Sequence, residues 1–165
     1  NKTYKVIQKG KTEFASFNDG AETTVSKTGG TLTISGKTNS SKLNFELVDL
    51  KTRAVVEGGL ELTLPSKYTA GGQETTNNVA ITGDPGATQE FEFSITFTGI
   101  APNTSVDELT AALKVTTAGG QSAQIQIKQS AGDPEFAFGQ DTITLEASGV
   151  AVSQTIVSNT SWELS

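Results

Sequence analysis

Paired carboxylates are the side chains in this sequence whose spacing could support acid–base catalysis. A glycosidase needs two carboxyl groups that face each other across a cleft, with the pKa of one of them raised. Glu90 and Glu92 instead fall on the same polar side of an alternating segment, which is typical of a solvated strand face. We interpret this pair as surface groups, and likewise the pairs Asp107/Glu108, Asp133/Glu135 and Glu57/Glu61.

The sequence contains no histidine and no cysteine. A Ser-His-Asp triad, a Cys-His dyad and a zinc site with imidazole or thiolate ligands are therefore excluded. Asn18, Asp19 and Asp84 fall in predicted turns, but their spacing does not match a calcium-binding loop. The Gly-Gly pairs lack the Lys-Ser/Thr that follows in a phosphate-binding loop. We predict a protein that is not an enzyme, with no catalytic residue, metal site or cofactor.

Three residues are candidates for binding a ligand: Trp162, Tyr68 and Asn159. Trp162 is the single indole, and a flat aromatic ring can stack on the face of a sugar, although packing in a core or at its rim is the alternative. Tyr68 lies in a polar segment, residues 66–78, that we predict to be a loop. Loops on a rigid sandwich are where binding sites arise. Asn159 precedes the indole in the same turn.

The strand that organises the fold is predicted at residues 89–98. Phe91, Phe93, Ile95 and Phe97 occupy every second position, and polar residues fill the gaps. Burying four such side chains on one face would contribute roughly 6–12 kcal/mol, at about 1.5–3 each. Other short alternating segments with Gly, Asn and Asp turns between them predict an antiparallel β-sandwich. One short helix is expected near residues 105–112, because Ser105 and Glu108 match a capping box.

The charge of the chain limits the classes of partner that it is expected to bind. A net charge of −6 argues against nucleic acid, whose phosphates would be repelled, and no apolar run is long enough to insert in a membrane. Residues 1–67 carry ten Lys or Arg against seven Asp or Glu, whereas residues 68–165 carry two against eleven. This asymmetry could orient successive copies head to tail. A chance arrangement is the alternative.

A repeated pattern predicts the domain boundaries. Residues 6–8 and 127–129 each end in Gln, and Glu-Phe-Ala follows each at residues 13–15 and 135–137, an offset of about 122 positions. We predict that residues 1–10 are the last strand of a preceding immunoglobulin-like repeat, 11–131 a complete domain, and 132–165 the first strands of a following repeat. Alternatively, the flanking pieces pair with each other or with another chain to complete one sandwich.

The segment 158–165, Ser-Asn-Thr-Ser-Trp-Glu-Leu-Ser, and the segment 125–129, Ile-Gln-Ile-Lys-Gln, resemble the Bacteroidetes-associated carbohydrate-binding often N-terminal (BACON) family. The central domain departs from that pattern, because Leu43 or Phe45 takes the place of the Trp. The resemblance implies an immunoglobulin-like sandwich in an extracellular, surface-attached or virion protein that is often directed to glycans.

The sequence therefore predicts a non-catalytic module that acts as a spacer, assembly or adhesion domain at the bacterial cell surface or outside the cell. Two alternatives stay open: a carbohydrate-binding module for glycan or mucin, and a structural component of a bacteriophage virion or fibre. The expected partners are a glycan or neighbouring immunoglobulin-like domains and subunits, without nucleic acid and without membrane insertion.

Overall fold

The computed structural model describes residues 11–48, 59–81 and 89–163; the strand predicted in residues 1–10 lies outside these residues. None of the described residues belongs to a helix long and apolar enough to cross a membrane. The described residues form these strands: β1 (Ala15–Phe17), β2 (Glu22–Val25), β3 (Gly30–Thr38), β4 (Leu43–Val48), β5 (Tyr68–Ala70), β6 (Gln73–Thr75), β7 (Phe91–Ile100), β8 (Leu109–Thr117), β9 (Ser122–Gln129), β10 (Phe136–Phe138) and β11 (Ile156–Ser158).

Nine of the strands in the described ranges build a sandwich of two sheets. The first sheet has the order β1-β3-β7-β5-β6 and is antiparallel throughout. The second has the order β2-β9-β8-β4, in which β2 and β9 are parallel and the other pairs antiparallel. Strands β10 and β11 form a separate antiparallel pair. The prediction of an all-β sandwich is confirmed.

Strand β7 lies at the centre of the first sheet, as its alternating pattern predicts. Phe93, Ile95 and Phe97 are each 1% exposed. The ring of Phe93 packs edge-on against Phe45 of the opposite sheet, with ring centroids 5.5 Å apart, and against Phe17 at 5.9 Å. Such edge-to-face pairs add to the free energy gained by burial. The two sheets therefore meet over an aromatic and aliphatic core.

The short helix predicted near residues 105–112 is not formed. The Ser105 hydroxyl accepts a hydrogen bond from the amide of Asp107 (3.1 Å), which closes a local turn instead of capping a helix. Strand β8 begins immediately afterwards, at Leu109, and pairs with β4 on one side and β9 on the other. Pairing on both edges and burial of Leu113 and Val115 outweigh the local capping signal.

The segment 66–78, predicted to be a loop, instead contains the hairpin of β5 and β6. Strand β5 also pairs with β7, through Thr69 opposite Ser94 and Ala70 opposite Phe93. Its turn uses two glycines with positive φ, Gly71 and Gly72, a conformation that glycine adopts without strain. The polar composition of the segment reflects a strand at the sheet edge, not a disordered loop.

The chain enters and leaves the sandwich at opposite ends of β3. Asn39 follows the last residue of β3; its Oδ1 accepts from the amide of Phe14 (2.8 Å) and its Nδ2 donates to the carbonyl of Thr12 (3.1 Å). Lys27 precedes the first residue of β3 and pairs with Asp133 (2.5 Å), which follows the last sandwich strand. The nine residues of β3, at about 3.3 Å each, separate these ends by roughly 27–30 Å.

Replacing the central aromatic ring tests this core. Phe93→Ala should lower the free energy of unfolding by about 3–5 kcal/mol, because a large cavity opens where Phe17 and Phe45 meet. Thr98→Ala, on the exposed side of the same strand, should change it by less than about 0.5 kcal/mol. Urea unfolding followed by circular dichroism measures both; equal effects would contradict the assigned core.

Candidate functional site

Tyr68 lies inside the sandwich, not on a binding surface. It is 4% exposed, its ring is edge-on to that of Phe45 at 4.8 Å, and its hydroxyl donates to the carbonyl of Leu43 (3.3 Å). Burial raises the pKa of Tyr68. A buried ring cannot stack on a sugar, so Tyr68 is not part of the candidate site.

Asn159 uses its side chain to fix the backbone. Its Oδ1 accepts from the amide of Glu135 (2.7 Å), and its Nδ2 donates to the carbonyls of Asp133 (2.9 Å) and Thr104 (3.0 Å). Both protons of the amide nitrogen are therefore engaged. This residue ties the start of β10 to the end of β11 and both of them to the sandwich.

Trp162 belongs to a group of three exposed rings. It is 49% exposed and stands edge-on to Phe136, with centroids 6.4 Å apart, and Phe136 stands edge-on to Phe138 at 5.5 Å. We call Phe136, Phe138 and Trp162 the aromatic patch. The indole was a predicted candidate, whereas the two phenylalanines were not predicted. Their spacing of two residues, which puts both rings on one face of a strand, is the signal that could have found them.

The terminal hairpin, defined as residues 133–163, exposes an unusual amount of apolar surface. Among large apolar side chains exposed in the described ranges, all but Val79 belong to it: Phe136, Phe138, Ile143, Leu145, Val150, Val152, Val157 and Trp162. Within the same ranges β10 and β11 pair with each other alone. A two-stranded hairpin is marginally stable by itself, and a contiguous apolar surface marks an interaction site.

The terminal hairpin repeats the hydrogen bonds of β1, β3 and the turn before β3. Two bonds of Asn39, from Oδ1 to the Phe14 amide and from Nδ2 to the Thr12 carbonyl, are matched by those of Asn159 to the Glu135 amide and the Asp133 carbonyl. The bond between Thr38 Oγ1 and the Ser40 amide is matched by that between Ser158 Oγ and the Thr160 amide. Two backbone bonds, Asn18 amide to Ser35 carbonyl and Gly29 amide to Ser26 carbonyl, are matched by Gly139 amide to Thr155 carbonyl and Gly149 amide to Glu146 carbonyl.

The spacing between the two copies is 121 positions up to residue 139 and 120 positions from residue 146 onward. The strand register follows the same spacing, since Phe17 pairs with Gly36 and Phe138 with Ile156. Phe138 therefore takes the position of Phe17. Phe17 belongs to the sandwich core and is 7% exposed, whereas Phe138 is 57% exposed. The aromatic patch thus lies on the face of the hairpin that corresponds to a buried face of the sandwich.

This spacing corrects the sequence pattern by one residue. The Glu-Phe-Ala match placed Phe136 at the position of Phe14, at an offset of about 122. The hydrogen bonds instead place Glu135 there and Phe136 at the position of Ala15. A shift of one residue in a strand moves every side chain to the other face. The register therefore decides which rings of the hairpin lie on the face that corresponds to the buried face of β1.

The carboxylate pairs do not converge on a cleft. Glu90, Glu92, Asp107 and Glu108 are exposed, and Asp133 is paired with Lys27. Glu57 lies outside the described residues. Within those residues no group of three His, Cys, Asp or Glu side chains could hold a metal ion.

A groove of about 1040 Å³ opens between β4, β8 and residues 59–63. Leu47, Leu60 and Leu109 are among the described residues that line it, and Glu61 is the one carboxylate among them. Gln129, which also borders the groove, donates from Nε2 to the carbonyl of Ala101 (2.8 Å) and is 1% exposed. Among the described residues, this lining does not contain the pair of carboxylates that glycoside hydrolysis requires.

No protein-family model and no curated protein matches the sequence. Among solved structures, the chain is similar to the sialic-acid-binding region of the Streptococcus sanguinis SK1 adhesin bound to 3'sLn. The TM-score is 0.35 and the identity 13%, over 74% of this chain and 31% of that chain. The match thus spans less than a third of the adhesin region.

The two matched asparagines should differ in their effect on stability. Asn39→Ala should lower the free energy of unfolding of the sandwich by about 1–3 kcal/mol, because the amide of Phe14 loses its partner in a buried setting. Asn159→Ala should change it by less than about 0.5 kcal/mol. It should, however, accelerate amide exchange in β10. Urea unfolding followed by far-ultraviolet circular dichroism, together with hydrogen exchange, measures both effects. Equal destabilisation would contradict these roles.

Proposed function

We propose that this chain is a non-catalytic spacer and assembly module of an extracellular or cell-surface protein, built to carry tension along its length. The observation that supports the proposal best is the parallel pairing of β2 with β9, residues Glu22–Val25 with Gln126–Gln129. This ladder joins the beginning of the sandwich directly to its last strand. Further bonds run from the amide of Gln126 to the carbonyl of Ala21 (2.8 Å) and from that of Ser130 to Val25 (3.1 Å).

Parallel pairing determines how the ladder responds to a pull. Force on the N-terminal side acts at the Glu22 end of β2, whereas force on the C-terminal side acts at the Gln129 end of β9. These ends lie at opposite ends of the ladder, so the two strands are loaded in shear. All hydrogen bonds of the ladder must then break together, not one after another. The chain also enters and leaves at opposite ends of β3, as a spacer requires.

The connection to the terminal hairpin is held by several bonds. The amide of Gly132 donates to the carbonyl of Ser105 (2.7 Å), Lys27 pairs with Asp133, and Asn159 donates to the carbonyl of Thr104. A Cβ at Gly132 would lie 2.5 Å from the Asn103 carbonyl oxygen, so glycine allows this close approach. The repeated hydrogen bonds of the hairpin support modules in series, in keeping with the resemblance to the BACON family.

Single-molecule force spectroscopy tests this function. Pulled by its two ends, the chain should unfold in one event that releases roughly 40 nm of contour length, from ~115 residues at ~3.5 Å each. A second pulling geometry uses Lys42→Cys and Ala118→Cys, which flank the pair Leu43 and Thr117 at one end of the β4–β8 ladder. The absence of native cysteine makes the attachment unambiguous.

Force through the two introduced cysteines unzips β4 from β8 one pair at a time. The unfolding force should be severalfold lower than for the ends. An end-to-end unfolding force equal to or below the unzipping force would contradict a role in carrying tension.

A second candidate function is glycan binding at the aromatic patch. Three rings, each about half exposed, lie within 6.4 Å of a neighbouring ring, and flat aromatic surfaces of this kind can stack on sugars. Asn159 is not available to this surface through its amide nitrogen, since both protons are used. The three rings are therefore the side chains that would contact the glycan.

A glycan array followed by affinity measurement tests it. If the patch binds glycan, Trp162→Ala should weaken binding roughly three- to tenfold, through the loss of one stacking surface. Val79→Ala removes an apolar side chain that is exposed to a similar extent elsewhere and should leave binding unchanged. Absence of binding to every glycan, or equal loss in both variants, would eliminate this candidate.

A further inference from the structure

We propose that residues 1–10 of one copy of this chain bind the terminal hairpin of a second copy, as a strand parallel to residues 141–146. The inference deepens the proposed assembly function and rests on the same view of the chain as modules in series. It follows from the strand that the hairpin lacks, from the sequence and charge of residues 1–10, and from the distance between the two ends of β3.

Among the sandwich strands that have no counterpart in the described part of the hairpin is β9. The spacing of 120 holds from residue 146 onward; extended back to residue 143, it places Leu145 at the position of Val25 and Ile143 at that of Thr23. Val25 lies beside Gln129 of β9 and is 5% exposed, whereas Leu145 is 74% exposed. Within the described residues no strand pairs with 141–146. The apolar side chains of the hairpin are therefore exposed where the sandwich has β9 to cover them.

Residues 1–10 carry the pattern of β9. The spacing of 121 aligns residues 4, 6 and 8 with residues 125, 127 and 129 of that strand. Ile125 and Ile127 are fully buried and Gln129 is 1% exposed. The corresponding residues of the N-terminal segment are Tyr4, Val6 and Gln8, which share one face of an extended strand. The segment has ten residues and β9 has eight, so it is long enough.

The charges of the two partners are complementary. Residues 1–10 contain three lysines and no acidic residue, whereas residues 133–163 contain five acidic residues and no Lys or Arg. The amide of Gln126 bonds to Ala21 and that of Ser130 to Val25. The same register places Lys5 beside Asp141 and Lys9 beside Leu145, next to Glu146. A lysine thus meets an acidic residue at each end of the added strand.

Residues 1–10 can reach the hairpin only as part of a second copy. Phe14 is held at one end of β3 by Asn39, and Asp133 is held at the other end by Lys27, roughly 27–30 Å away. Residues 9 and 10, which connect the pattern at residues 4–8 to Lys11, span at most about 10 Å. The segment therefore cannot reach the hairpin of its own chain. Pairing between copies is head to tail and generates open chains of molecules.

Two variants separate the two halves of the proposed interface. Val6→Asp places a charge on the face of the added strand, and Leu145→Asp places one on the exposed hairpin position; Val79→Asp is the matched control on an exposed site elsewhere. Analytical ultracentrifugation of the full chain should show an average mass that rises with concentration and falls between about 0.05 and 0.5 M salt, because charge attraction is screened.

Each of Val6→Asp and Leu145→Asp should weaken association roughly tenfold or more, since a charge replaces an apolar contact. Val79→Asp should associate like the original chain. An equimolar mixture of Val6→Asp and Leu145→Asp should form a dimer and nothing larger, because one intact N-terminal segment meets one intact hairpin. A synthetic peptide of residues 1–10 should bind Val6→Asp and not Leu145→Asp, and a scrambled peptide should bind neither.

A chain that stays monomeric, a mixture that forms no dimer, or variants that associate unchanged would overturn the inference. So would a hairpin that binds a glycan through Trp162 but does not bind the peptide. The force experiment uses isolated molecules, so failure of association leaves the spacer function standing. A weak ladder in that experiment would leave the association test unaffected.

Discussion

The parallel pairing of β2 with β9 is the interaction on which the rest of the structure depends. It brings the last strand of the sandwich beside one of the first, and it buries Val25, Ile125 and Ile127 beneath the aromatic side of β7. Among the described residues, the terminal hairpin has no strand paired in this way. Asn159 fixes the entry of β10 as Asn39 fixes that of β1, and β10 pairs with β11 in the matching register. Phe138 and Leu145 nevertheless remain exposed.

A sandwich closed in this way holds its polar side chains in two different settings. Its buried polar side chains hold the backbone: Asn39 fixes the entry of β1, and Gln129 holds the carbonyl of Ala101. Carboxylates lie on solvated faces, where ion pairs such as Lys27 with Asp133 contribute little to stability. Function on this scaffold is therefore proposed at the terminal hairpin, where the exposed apolar side chains lie.

Alternation at period two was enough to predict the sandwich and the central position of β7, because four large side chains on one face leave few other arrangements. Ser105 and Glu108 matched a helix signal that pairing of β8 on both edges overrode. Tyr68 was misplaced because a polar edge hairpin resembles a loop in composition. The repeat could be predicted from the sequence, but its register could be assigned only from the hydrogen bonds of Asn39 and Asn159. A shift of one residue leaves the sequence match similar but moves every side chain to the opposite face of the strand.

Hydrogen exchange at two protein concentrations tests the missing strand most directly. Amides of residues 22–25 should exchange slowly at every concentration, because β9 of the same molecule covers them. Amides of residues 141–146 should exchange rapidly in dilute solution and slowly in concentrated solution, when a second copy supplies the strand. Rapid exchange of residues 141–146 at both concentrations, or slow exchange at both, would contradict a hairpin that is completed by another molecule.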